Sequence, residues 1–254
     1  MPQGAGLIDE IRSIALRAGS AILEVYAQDF AVERKADASP VTRADQLAEA
    51  IILEALHRIT PEIPVVAEER AAAGGLPVAA AARFWLVDPL DGTKEFIARN
   101  GEFTVNIALV EEQRPVLGVV HAPALDVTYW AADGCAFGRR GSDAAEPISA
   151  RAVPDRGAIV LHSRSHVDEA ELAGYVAALP EAERRISGSS IKFCLLACGE
   201  ADLYPRFGRT MEWDTAAGQA VLEAAGGRVE TRDGRPLAYG KPGFANPDFI
   251  ARGR

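Results

Sequence analysis

The chain has 254 residues, 48% hydrophobic and 25% charged, with a net charge of −9. That length suits one large or two modest domains, and no apolar run is long enough to span a bilayer. The acidic balance argues against a broad nucleic-acid surface, which needs a basic face, but allows a small anionic substrate where bound metals reverse the local sign.

Near the start, Leu7, Ile8, Ile11, Ile14, Ala15, Ala18, Ile22 and Val25 recur at helical spacing and predict a first amphipathic helix. This is not the basic-then-apolar layout of a secretion signal. Val32 to Lys35 reads as a short edge strand and Asp37 to Pro40 as a turn. Thr42 and Asp45 have capping-box spacing ahead of a second helix with Leu47, Ile51, Ile52, Leu56 and Ile59 on its apolar face, ended by Pro61. Pro64 to Glu69 is an apolar run ending in the carboxylates Glu68 and Glu69, and Ala71 to Ala82 reads as a mobile loop between two ligand-bearing strands, a plain connection with a lid as the alternative.

Phe84 to Val87 is a short buried strand that delivers Asp88. Pro89 fixes φ and lacks an N–H, so it is expected to halt the ladder, while Gly92 lets the backbone approach a ligand. Asp88 and Asp91 then face one small space. Like charges that close call for a hard cation with oxygen ligands; the plain alternative is an Asp-Gly turn after a strand.

Phe103 to Val110, Val116 to His121, Asp126 to Ala131 and Cys135 to Arg139, separated by turn residues, predict an antiparallel meander. From Arg140 to Arg156 the chain is polar with Gly and Pro, and the rhythm then changes to alternating strands and helices. A domain boundary is placed there, giving residues 1–145 and 146–254. The second half reads as a strand from Ala158 to His162, a helix from Asp168 to Leu179, a helix from Ile191 to Cys198 opened by Gly188-Ser-Ser190, and a strand from Ala201 to Pro205. Glu212-Trp-Asp214 leads into a helix from Thr215 to Ala225 with Gly226-Gly227 as its stop, and Arg228 to Thr231 and Phe249 to Ala251 are the last strands. Cys135, Cys194 and Cys198 are odd in number and lack metal-type spacing, which predicts a reducing cytoplasm, with Cys194 and Cys198 filling core space.

Six carboxylates end a strand or open a helix: Asp45, Glu68, Glu69, Asp88, Asp91 and Asp214. Each alone has a plain explanation as a cap or a solvated strand end. Their joint order, Asp, then Glu-Glu, then Asp-Pro-Leu-Asp-Gly-Thr, then Trp-Asp-Thr-Ala-Ala, resembles the magnesium-dependent, lithium-sensitive phosphomonoesterase superfamily that includes the inositol monophosphatases and fructose bisphosphatases. The resemblance implies a five-layer αβαβα sandwich, an α+β half followed by an α/β half. It makes Glu68, Asp88 and the Leu90 carbonyl ligands of one Mg²⁺, and Asp88, Asp91 and Asp214 ligands of a second. A third, looser ion shares Glu68, and Glu69 is a helper or a spectator. The implied chemistry is in-line attack of water on a phosphate monoester, with Asp45 acting through the Thr93 hydroxyl and the N–H groups of Gly92 and Thr93 cradling the phosphate beside Asp214.

Lys94-Glu-Phe96, Gly188 to Phe193 and Leu203 to Phe207 resemble the 3′(2′),5′-bisphosphate nucleotidase branch, which converts adenosine 3′,5′-bisphosphate to AMP, with the 3′-phosphorylated adenylyl sulfate as a second substrate. A second phosphate that no metal touches needs its own donors, and Ser189, Lys192 and Arg206 can supply them. The alternative makes Lys192 and Arg206 surface charges and Ser189 a cap. The stretch from His162 to His166 is a weaker candidate for the nucleotide; Tyr204 and Phe207 suit the core as well as a base. Trp213 is expected to pack beneath Asp214. Arg209 departs from the Pro of this branch. Rival readings are an inositol monophosphatase-like enzyme of broad specificity and a non-catalytic metal- or nucleotide-binding regulator. A haloacid-dehalogenase-type site fails because two residues, not one, separate Asp88 from Asp91, and a P-loop is missing. Monomer and homodimer stay open, as does contact with the inner face of a membrane.

Overall fold

The computed structural model describes residues 4–34, 40–75, 81–164 and 168–254. Most of the turn read at Asp37 to Pro40, residues 76–80 of the connecting loop, and Ser165 and His166 lie outside the described residues.

Helices α1 (Gly4–Tyr26) and α2 (Arg43–Ile59) form where apolar spacing predicts them. Between them β1 (Val32–Arg34) and β2 (Pro40–Thr42) pair antiparallel. The capping box at the start of α2 is real: the Thr42 hydroxyl accepts the Ala44 N–H at 3.1 Å and Asp45 Oδ2 accepts the Thr42 N–H at 2.7 Å. Next come β3 (Val65–Ala67), α3 (Glu68–Ala72), β4 (Arg83–Asp91) and α4 (Thr93–Ile97). Glu68 and Glu69 therefore open a short helix, which carries the chain to Ala72 before the predicted loop begins. Strands β5 (Thr104–Glu111), β6 (Arg114–Ala122), β7 (Val127–Ala132) and β8 (Cys135–Arg140) continue the predicted meander from β4, β9 (Glu146–Pro147) adds to β8 inside the stretch read as a polar boundary, and β3 adds in parallel to β4.

The rest of the chain supplies β10 (Ile159–His162), α5 (Glu169–Ala177), β11 (Glu183–Ile186), α6 (Ile191–Ala197), β12 (Leu203–Arg206), β13 (Thr210–Met211), α7 (Ala216–Ala224), β14 (Arg228–Thr231), β15 (Ala245–Asn246) and β16 (Phe249–Arg252). Its five-stranded sheet has the order β11-β10-β12-β16-β14, and β13 pairs separately with β15. Helix α7 stops as the double glycine predicts: Gly226 adopts φ +93°, and the Gly227 N–H reaches the Leu222 carbonyl at 2.9 Å. Strand β11 is not visible in the sequence. All four of its residues are exposed, so no alternation marks it, and Glu183, Arg184 and Arg185 guard the edge with charge.

Three apolar clusters stack these elements into layers. On β4, Trp85 and Val87 point toward α1 and α2, whereas Phe84 and Leu86 point toward α6 and α7. The second cluster continues past those helices to Tyr204, Phe249 and Ala251 of the five-stranded sheet, and a third places Leu172 of α5 against Val160 and Leu203. The order of layers is helices, seven-stranded sheet, helices, five-stranded sheet, helix. This is the expected αβαβα sandwich. Cys194 is buried in it and Cys198 partly so, as core fillers.

Helix α7 lies directly on β6 because Gly118 has no side chain. A Cβ there would stand 2.6 Å from the Ala217 carbonyl oxygen and 2.8 Å from the Ala220 Cβ. Gly118→Val is expected to cost about 3 kcal/mol by overpacking, seen as a lower urea midpoint with an unchanged slope.

Candidate active site

The site begins with an irregularity in β4. Asp88 pairs with Asn106 and Asp91 with Thr104, so three steps on one strand match two on the other. Pro89 interrupts the ladder but does not halt it, contrary to the sequence expectation. The missing N–H leaves a gap that a bulge absorbs, and pairing resumes at Asp91. In a regular strand residues three apart point to opposite faces. The bulge puts both carboxylates on one side.

Glu68, at the start of α3, and Asp214, at the end of a 3₁₀ turn from Glu212 to Asp214, complete the group. Burial raises Asp88 well above the ordinary carboxylate range, with further contributions from Glu68, Asp91 and Asp214 and a hydrogen bond shared with Glu68. Asp214 is raised by burial, then by Asp91 and Glu68, against the pull of the Met211 N–H at 2.8 Å. Asp91 is raised to about 6 by burial, opposed by Lys192 and by the Ser190 N–H. Asp214 does not cap α7, whose N-cap is Thr215. Trp213 is buried beside it, as expected.

Carboxyls that hydrogen-bond to each other need a proton between them or a cation in its place. Among the described residues, no three His, Cys, Asp or Glu side chains are drawn into a ready-made metal cage. An open set of this kind fits an ion that keeps its waters and takes only one or two carboxylates at a time.

Asp45 approaches from α2. Its Oδ2 accepts the Thr42 N–H and hydroxyl, each at 2.7 Å, and its Oδ1 accepts the Thr93 hydroxyl at 3.2 Å. Thr93 Oγ1 is also 3.3 Å from the Leu90 carbonyl. Gly92, at φ +91°, makes the sharp entry into α4, where a Cβ would sit 3.1 Å from the Glu102 carbonyl and 3.3 Å from the Ser189 Cβ. The Glu69 N–H is bonded to the Glu49 carboxylate at 2.9 Å.

The 187–192 segment faces this end of the first sheet. Lys192 is only 2% exposed, not a surface charge, and its ammonium donates to the Ser187 carbonyl at 3.2 Å and to the Ser189 carbonyl. Burial lowers it to about 8, with Asp91 pulling the other way. Ser189 is held at φ +40°, and its hydroxyl accepts the Ile191 N–H at 3.4 Å. Arg206, 6% exposed, donates to the Ser163 hydroxyl at 3.2 Å and the Arg209 carbonyl at 2.9 Å. The departure at Arg209 thus leaves a backbone contact in use. Arg164 binds Glu102 at 2.9 Å, and His162 is buried against the Ser163 carbonyl. Tyr204 packs on Phe193 and Phe249, and Phe207 on Tyr175, so both aromatics belong to packing.

The sequence reading missed Thr104, Asn106 and the specific contacts of Ser190, which surround Asp91. The available signal was two polar residues, Thr104 and Asn106, at the start of a strand that is otherwise apolar up to its last residue, Glu111.

A family model described as the inositol monophosphatase family matches residues 7–251. The chain belongs to the inositol monophosphatase family. Within that family, the 3′(2′),5′-bisphosphate nucleotidase CysQ of Salmonella typhimurium is 49% identical over 246 residues, covering 96% of this chain and 98% of the relative. The crystal structure of CysQ from Bacteroides thetaiotaomicron superposes with a TM-score of 0.81 at 39% identity, covering 98% and 97% of the two chains. An inositol monophosphatase of Thermotoga maritima gives a TM-score of 0.80 at 26% identity, covering 97% and 92%. The inositol monophosphatase-family fold therefore extends over nearly the whole chain.

Proposed function

We propose that this chain is a Mg²⁺-dependent phosphomonoesterase that converts adenosine 3′,5′-bisphosphate to AMP and phosphate, and the 3′-phosphorylated adenylyl sulfate to adenylyl sulfate. The observation that carries the reading is the cluster of Glu68, Asp88, Asp91 and Asp214, with Asp88 buried and the other three half-buried, beside two buried cations, Lys192 and Arg206. Nucleotidase relatives matched over nearly their full length support the same substrate class.

In this reading residues 1–145 contribute Asp45, Glu68, Asp88, the Leu90 carbonyl, Asp91, Gly92 and Thr93, and residues 146–254 contribute Ser189, Lys192, Arg206 and Asp214. Glu68, Asp88 and Leu90 hold one Mg²⁺, Asp88, Asp91 and Asp214 a second, and Glu68 shares a looser third. Bound Mg²⁺ lowers the pKa of a water and steadies the leaving oxygen. Thr93 donates its one hydroxyl proton to Asp45, which leaves a lone pair to accept from that water and aim it. Asp45 is the eventual proton acceptor. The Gly92 and Thr93 N–H groups, and the first turn of α7, receive the transferred phosphate oxygens. Ser189, Lys192 and Arg206 receive the second phosphate. A regulator that only bound its ligand would have no use for the Asp45–Thr93 pair.

The cytoplasm is the compartment that suits this chemistry and the free cysteines. No described helix is long and apolar enough to cross a membrane.

The test is phosphate release with Mg²⁺ from adenosine 3′,5′-bisphosphate and inositol 1-phosphate side by side, with Lys192→Ala alongside. Loss of a charged hydrogen bond predicts a fall of about 10–100-fold in kcat/KM for the nucleotide. The inositol ester serves as the internal control, since damage to the carboxylates lowers both rates. Preference for the inositol ester with Lys192 irrelevant would move the protein to broad sugar-phosphate hydrolysis.

A further inference from the structure

Asp91 is held from outside its own strand. Its Oδ2 accepts the backbone N–H of Ser190, 99 positions further along the chain, and lies 3.5 Å from Asn106 Nδ2. Ser190 Oγ is in turn 2.7 Å from Asn106 Oδ1 and 2.8 Å from Thr104 Oγ1. Thr104, Asn106 and Ser190 are all buried.

The proton directions in this chain follow from the donor inventory. Asn106 Oδ1 carries no hydrogen, so Ser190 must donate its single hydroxyl proton there. Thr104 is then the donor to Ser190. The chain runs one way, from Thr104 to Ser190 to Asn106 to Asp91, and it fixes the Asn106 amide with its oxygen toward Ser190 and its nitrogen toward the carboxylate. The reverse flip would set two acceptors against each other. At 3.5 Å the Asn106 contact is the weakest link, and the Ser190 amide is the strongest. Lys192 clamps the Ser187 and Ser189 carbonyls, which holds the turn so that the Ser190 N–H points at Asp91.

We infer that Ser190 is a positioning residue for Asp91: its amide and its hydroxyl, the latter through Asn106, commit Oδ2 and leave Oδ1 as the single oxygen offered to a divalent cation. This rests on the magnesium site proposed above. Groups that orient a ligand carboxylate typically change metal affinity by 10–100-fold when removed. Because Asp91 ends β4 of the seven-stranded sheet and Ser190 lies between β11 of the five-stranded sheet and α6, the ligand is aimed only when both parts of the chain are docked.

The experiment is calorimetric Mg²⁺ titration of the substrate-free protein, with melting in EDTA as a parallel readout. Ser190→Ala, which keeps the amide and loses the hydroxyl, is expected to weaken Mg²⁺ binding about tenfold with little change in the EDTA melt. Asn106→Leu should do the same and covers the case in which Ser190→Ala folds poorly. Thr104→Val should cost about threefold or less, because Ser190 still donates to Asn106. Wild-type affinity in both Ser190→Ala and Asn106→Leu, with Asp91→Asn defective, overturns this inference alone. Weakening that only tracks a fall in the EDTA melt assigns Ser190 to packing and also overturns it. No Mg²⁺ binding by the wild type, or unimpaired binding by Asp91→Asn, overturns the magnesium site itself.

Discussion

Asp91→Asn is expected to lower the Mg²⁺-supported phosphatase rate about a thousandfold, the equivalent of roughly 4 kcal/mol of metal-derived stabilisation. The substitution keeps the shape and removes one negative charge from a partly buried group in which Glu68, Asp88 and Asp214 already oppose one another. For the same reason the metal-free protein is expected to become more stable, since like charges forced together in low dielectric cost folding energy. The two readouts move in opposite directions, which a general loss of structure could not produce. Phosphate-release assays and urea unfolding in EDTA check the pair, and an unchanged rate would remove Asp91 from the mechanism.

Thr93→Val should cost about 10²–10³ in kcat, within the range of positioned proton-transfer groups, while Mg²⁺ affinity stays within a few-fold of wild type. Valine fills the same space but cannot link a water to Asp45, whose Oδ1 is 3.2 Å from the threonine hydroxyl. Thr93→Ser should recover most of the rate because it restores the hydroxyl. Steady-state kinetics with saturating Mg²⁺ separates this outcome from that of Asp91→Asn: a rise in KM alone, with kcat intact, would assign Thr93 to binding instead.

The sequence made some of this legible and hid the rest for physical reasons. The capping box of Thr42 and Asp45 is local, and local hydrogen bonding writes itself into adjacent letters. The meander from β4 to β8 shows in its turn residues, and the stop of α7 shows in its double glycine. The bulge at Pro89 is different, because it depends on how the neighbouring strand resumes its pairing. Strand β11 has no buried face to leave a pattern. Lys192 reads in the sequence as a donor to a second phosphate or, in the alternative, as a surface charge, and only the packing of Tyr204 and the 187–190 turn around it makes it a buried clamp. The Ser190–Asp91 contact joins residues 99 positions apart in the chain and has no signature in spacing at all.

The middle helical layer also has a bearing on how the chain is made. Phe84, Leu86, Val110, Val120 and Tyr129 bury their side chains against a layer that includes Val221 and Leu222, between 92 and 138 residues later in synthesis. At a ribosomal rate of about 5–20 residues per second, that face of the first sheet waits on the order of ten seconds for its cover. The nascent protein therefore carries a broad greasy surface through much of its translation, which makes the first half a natural client for chaperones until α7 emerges.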